Sequence, residues 1–136
     1  VRPGMASADI IRVLGGVVKP RKIGRIREVL KRRRGGLALV LENVHDVHNV
    51  AACLRSADAF GVQHVHVIDT IDAARGALAT TSAGAERWLT LHHHASARNC
   101  MEALLGDGYA VLASDLSEGS RPLGDVLEEL VGAPDG

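Results

Sequence analysis

The sequence predicts an α/β domain built on a parallel sheet, and three observations carry that prediction. Leu37-Ala38-Leu39-Val40-Leu41 is a short, uninterrupted apolar run, the pattern of a strand buried on both faces. A second short run, His64-Val65-His66-Val67-Ile68, follows after a helix-like segment. Strand, loop, helix and strand within about 30 residues make a βαβ unit, whose two strands are parallel with a right-handed crossover.

The elements follow in order. Ile10, Ile11, Val13 and Leu14 suggest a short helix ended by Gly15-Gly16. Pro20 restarts the chain, and Ile23, Ile26, Val29 and Leu30 recur at helical spacing. This predicts a basic amphipathic helix over about 22–34, apolar stripe on the body and cations outward, closed by Gly35-Gly36. After the Leu37–Leu41 strand comes a polar loop from Glu42 to His48, with Asn49 the expected N-cap of a helix running to about Phe60. Gly61 stops that helix, and the His64–Ile68 strand follows. Trp88–Leu91 and Tyr109–Ala113 are further strand candidates, with a helix at about 96–105 between them. The expected organisation is a basic arm over 1–34 and an α/β body over 35–136.

Composition narrows the function. The 136 residues suffice for one domain, and 46% apolar with 24% charged residues is a globular composition. Phe60, Trp88 and Tyr109 are the only aromatics, which argues against a reader built on stacked aromatic platforms. The longest apolar run is far short of the roughly 20 residues that span a bilayer. Ile10–Val18 contains Arg12 and lacks a basic leader, so no secretion signal is read there. Cys53 and Cys100 are accordingly expected as free, buried thiols in a reducing cytoplasm.

The zero net charge conceals an asymmetry. Residues 1–34 carry eleven Lys/Arg against Asp9 and Glu28, a net +9, and the remainder carries −9. Lys19, Arg21, Lys22, Arg25, Arg27, Lys31, Arg32, Arg33 and Arg34 fall within sixteen residues. A solvated helix face usually mixes signs. The favoured partner is therefore nucleic-acid phosphate, the alternative a merely solvated or membrane-surface segment.

The loop Glu42–His48, rich in Asn, Asp and His, lies at the C-terminal end of a parallel strand, where open α/β sheets place ligand sites. Arg55 follows on the helix, and helical side chains lean toward the N-terminus, so its guanidinium can return toward that loop. The competing reading is an exposed Arg55 paired with Asp58 three residues on.

Leu39-Val40-Leu41-Glu42-Asn43-Val44-His45, then His48-Asn49 and Arg55-Ser56-Ala57-Asp58-Ala59-Phe60-Gly61-Val62, resembles the first signature motif of the SpoU/TrmH family of RNA ribose 2′-O-methyltransferases, within the knotted SPOUT superfamily. Arg25–Arg33 resembles the basic RNA-binding helix of its tRNA-acting members, and Thr80–Trp88 a small-residue loop before their next strand. The resemblance covers roughly residues 21 to 127. It implies a Rossmann-like parallel sheet of the SPOUT (alpha/beta knot) type and S-adenosylmethionine-dependent methyl transfer to a ribose 2′-hydroxyl. A tRNA guanosine is the expected target and rRNA the alternative, in a cytoplasmic homodimer. By position it implies Arg55 as the catalytic arginine and Asn49 as the residue shaping its surroundings. Lys22, Arg25, Arg32 and Arg33 become RNA contacts, and Ala113, Ser114 and Leu116 approach the methyl donor.

Two departures stand out. Val47 occupies a position where many relatives have proline. The family's second and third motifs, which build most of the donor pocket and the knot, lie beyond Gly136 in relatives, so the chain is expected to be an N-terminal portion. The rival to an enzyme is a non-catalytic RNA-binding module. No metal is implied. Consecutive side chains on a strand alternate faces, so His92-His93-His94 cannot all converge on one ion, and surface or hydrogen-bonded histidines are expected there and at His45 and His48.

Overall fold

In a computed structural model of the chain, residues 11–12, 15–68 and 81–132 are described. Three parallel strands form the sheet in the order β1-β2-β3: β1 Arg34–Glu42, β2 Val62–Ile68 and β3 Thr90–His94. Register runs from Arg34 opposite Val62 to Glu42 opposite Ile68, and from His64 opposite Thr90 to Ile68 opposite His94. The helices are α1 Pro20–Lys31, α2 Val47–Phe60, α3 Ala97–Gly106 and α4 Leu123–Gly132, with a 3-10 turn at Ala85–Arg87. No helix among the described residues is long and apolar enough to cross a membrane.

The period-two alternation of the strands divides the core. Leu41, Val65 and Val67 face one way and bury against Val50, Ala51, Leu54 and Ala57 of α2. Ala38, Val40 and Ile68 face the other way, toward Cys100 and Leu104 of α3. A helix thus covers each face of β2, whereas β1, at the sheet edge, is buried only at Leu41 and leaves Leu37 exposed, so its continuous apolar run is not buried on both faces as expected. Both cysteines are free, Cys100 buried and Cys53 half-buried.

Several boundaries move. α1 ends at Lys31, and Gly35-Gly36 lie inside β1 instead of closing the helix. β1 begins at Arg34, shortly after α1 ends. The apolar stripe of α1 buries no residue fully, and Leu30 is exposed. α2 is capped by Asp46, whose carboxylate accepts from the His48 N–H at 2.8 Å, so Asn49 lies in the first turn. The N-terminal helix suggested around Ile10–Leu14 lies largely outside the described residues. β3 begins at Thr90, two residues after Trp88. Tyr109–Ala113 is not a strand: it holds the body through the Tyr109 N–H to the Leu104 carbonyl at 3.0 Å, and a groove separates it from the free edge of β1. A strand needs a ladder partner for its backbone groups, and this segment has none among the described residues.

Gly61 ends α2 with φ +81°, and a Cβ there would sit 2.4 Å from the Arg32 carbonyl oxygen. Strain and backbone clash together make Gly61→Ala lower the unfolding free energy by more than about 1–2 kcal/mol. Gly24→Ala, in open space on α1, should stabilise instead, by about 0.5–1 kcal/mol. Urea unfolding of the two variants checks the contrast.

Candidate functional site

β1 is followed by Asn43, whose φ of +52° turns the chain while its N–H stays tied to the Ile68 carbonyl at 3.2 Å. Asn and Asp tolerate that left-handed conformation better than other side-chain-bearing residues. The turn throws Val44-His45-Asp46 across the C-terminal end of the sheet, and Asp46 starts α2. Val44 touches both sides of this junction, packing on the α2 core and lining the groove beside β1.

Arg55 is exposed on α2 and donates from Nη1 to the Thr81 carbonyl at 2.8 Å. Thr81 opens a tight loop in which Ala83 and Gly84 both have positive φ and the fully buried Ser82 hydroxyl donates to the Glu86 carboxylate. One of the five guanidinium N–H donors is thus spent on the protein, and the others have no protein acceptor among the described residues. Asn49 is exposed, six residues earlier, hence about 9 Å away along the axis and about 120° around it. The helix does not set Asn49 and Arg55 on one line.

The expected rival, an Arg55–Asp58 pair, is overturned because Asp58 belongs to Arg33. Nη2 of Arg33 donates to Asp58 Oδ1 at 2.6 Å and to the Trp88 carbonyl at 3.0 Å, and Nη1 reaches the Val62 carbonyl at 3.1 Å. The Arg33 side chain is only 8% exposed. This corrects its assignment to RNA: a guanidinium enclosed by these acceptors inside the body cannot reach a phosphate. Lys22, Arg25 and Arg32 are exposed on or beside α1, and Arg25 also lies over the Trp88 ring, 5.7 Å from its centroid.

Ala113 and Ser114 line a groove of about 620 Å³ along the free edge of β1, with Val40, Ile68, Met101 and Tyr109 as apolar floor. Unpaired backbone groups of β1 border it. This volume lies in the range of small-molecule sites, and the donor set suits one wall around an apolar, hydrogen-bonding ligand. Leu116 corrects the expectation for its position: its side chain is fully exposed and outside the groove. The groove opens on the α3 side of the sheet, whereas Arg55 rides on the helix of the opposite face, so the two are linked through the Asn43–Asp46 turn.

Sequence reasoning missed the Arg33 anchor, the Thr81 carbonyl and the pairing of histidines across strands. His64 Nδ1 meets His92 Nε2 at 3.0 Å, and His66 Nδ1 meets His94 Nε2 at 2.9 Å. Two His-x-His patterns on neighbouring parallel strands were the available signal. Hydrogen-bonded histidines, the expected reading, describe His92 and His94.

Residues 36–130 match the family described as SpoU rRNA Methylase. The chain is 36% identical over 101 residues to the tRNA (guanosine(18)-2′-O)-methyltransferase of Escherichia coli, covering 74% of this chain and 44% of that protein. It is 37% identical over 105 residues to the enzyme of the same name from Thermus thermophilus, covering 75% and 52%. The chain thus spans about half the length of the curated relatives it matches. The crystal structure of an A. aeolicus TrmH/SpoU tRNA modifying enzyme superposes with a TM-score of 0.65 at 24% identity, over 74% of this chain and 51% of that one, and shares the fold.

Replacing Arg33 by Ala leaves Asp58 and two carbonyls without their donor and should cost about 3–5 kcal/mol, whereas Arg32→Ala should stay within about 0.5 kcal/mol. Equilibrium urea unfolding distinguishes them. Equal stability would return Arg33 to the surface.

Proposed function

The chain belongs to the SpoU rRNA Methylase family, and on that premise we propose that it serves S-adenosylmethionine-dependent methyl transfer to a ribose 2′-hydroxyl of RNA, with a tRNA guanosine as target. The names of the two bacterial relatives support tRNA; the family's own description keeps rRNA as the alternative. The observation that carries the reading is Arg55: its guanidinium is held by the Thr81 carbonyl and its in-helix carboxylate neighbour is engaged elsewhere. A cation so placed is available to an external anion. The reading includes a homodimer acting in the cytoplasm, as the family resemblance implies.

With pKa above about 12, a guanidinium is a poor proton acceptor at neutral pH. Arg55 therefore acts as a fixed charge beside the 2′-oxygen, stabilising alkoxide character as it develops, while a neighbouring RNA phosphate takes the proton. Asn49, exposed in the first turn of the same helix, would shape the surroundings of Arg55, as the family resemblance implies. S-Adenosylmethionine, when bound, supplies an electrophilic methyl group on sulfonium. Ala113 and Ser114 would hold it against the free edge of β1. The need for a 2′-hydroxyl selects RNA over DNA.

α1 supplies the electrostatic attraction. Its first turn holds Arg21 and Lys22 and no acid, a placement that opposes the helix macrodipole. Charges arranged against the helix's own stability point to an external anion. Lys22, Arg25 and Arg32 form the phosphate-facing set in this reading.

In a version extended to the length of the relatives, Arg55→Ala should lower single-turnover methylation of a tRNA transcript by about 10²–10³ while leaving tRNA affinity nearly unchanged. Arg55→Lys should also be poor, since an ammonium lacks the guanidinium fork. Near-normal turnover by Arg55→Ala would sink the catalytic assignment; RNA binding without any transfer by the unaltered extended protein would favour the binding-module reading. Lys22→Ala, Arg25→Ala and Arg32→Ala should each weaken RNA binding and flatten its log–log salt dependence by about 1 per lost phosphate contact. Fluorescence titrations across salt concentrations measure that slope.

A further inference from the structure

The α3-facing side of β2 and β3 carries an arrangement that methyl transfer does not use. His64, His66, His92 and His94 alternate with residues of the other face and so project together toward α3. The rings form a continuous zigzag: His66 stacks on His92 at 4.5 Å and on His94 at 5.1 Å, and His92 tilts against His64 at 5.2 Å. From α3, Cys100 enters the same space with no exposed surface, and His66 is only 7% exposed. One ligand atom each from His66, His94 and Cys100 lie within 4.8 Å of one another.

We propose that His66, His94 and Cys100 form a binding site for a divalent, borderline-soft transition ion, zinc first among them, with the fourth position open to water. The chemistry of the donors supports it: two imidazoles and a thiolate are a zinc set, and three protein ligands with one open place is a known zinc geometry. Tetrahedral bonds of about 2.0–2.3 Å put donor atoms roughly 3.3–3.7 Å apart, so the His66–His94 hydrogen bond of 2.9 Å opens and the wider spacings, all within 4.8 Å, close by up to about an ångström. Half-buried His94 can make that adjustment, while β2 and α3 hold the other two ligands. The imidazoles ligate as neutral rings, and the ion enters as the Cys100 Sγ proton leaves for solvent. Binding ties α3 to the central strand β2 and the edge strand β3 at once, a staple on the face that α2 does not cover.

The test is cobalt substitution in the metal-stripped chain. One equivalent of Co²⁺ should bind with tetrahedral d–d bands and a thiolate-to-cobalt charge-transfer band, and Zn²⁺ should abolish both. Cys100→Ser should lose the charge-transfer band, and His94→Gln should weaken zinc binding by at least about 10–100-fold. Cys53→Ser, on the opposite helix, and His93→Gln, on the opposite strand face, should leave the spectrum intact. Because Cys100→Ser alters a fully buried position, X-ray absorption of the unaltered zinc-loaded chain gives an independent reading, in which one sulfur should appear among the nearest scatterers. Cobalt bound without the thiolate band, a zinc shell without sulfur, or a band that follows Cys53 would each overturn the proposal.

Discussion

A buried guanidinium at the N-terminal edge of the sheet fixes how the elements meet. In a parallel sheet all strands begin at the same edge, and here β1, β2 and β3 start at Arg34, Val62 and Thr90. Arg33 stands immediately before the first of them and spans the other two, taking the Val62 carbonyl, the Trp88 carbonyl and the carboxylate at the end of α2. Gln63 reinforces the same junction, donating to the Trp88 carbonyl at 3.2 Å and the Thr90 hydroxyl at 3.0 Å. A buried charge is costly unless it is well hydrogen-bonded; this one is, through both terminal nitrogens, with only Nε left without a partner. Gly61 belongs to the same cluster of contacts, because only hydrogen at its Cα lets the Arg32 carbonyl pass so close.

The opposite, C-terminal edge carries the Asn43 turn and the Asp46 cap of α2. The two ends of the strands are thus built from different residues, and a change at one end need not disturb the other.

The apolar runs made β1 and β2 legible, Gly61 marked a helix end where the structure has it, and the helix expected at about 96–105 is α3, Ala97–Gly106. Those signals are local, set by a residue's own backbone preference or by period. What stayed hidden depended on partners distant in sequence. Arg33 looked like one more cation in a basic run, because its acceptors lie 25 to 55 residues away. Tyr109–Ala113 had strand-like residues and lacked a ladder. Asn49 was the expected cap, yet Asp46, an equally good capping residue three positions earlier, takes that place through the His48 N–H. The motif around Arg55 was legible by resemblance, while its acceptor, a backbone carbonyl, carries no side-chain signature.

The engagement of Asp58 by Arg33 has an electrostatic consequence for its neighbour. Ordinarily a carboxylate one turn away would cancel most of an arginine's potential within a few ångströms. Here that negative charge is consumed by a buried partner, and the Arg33–Asp58 pair presents nothing but a weak dipole outward. The positive potential of Arg55 then decays only through the ionic atmosphere, over a Debye length of about 8 Å at physiological salt. An external anion approaching α2 therefore meets at Arg55 a positive potential that the neighbouring carboxylate has not flattened.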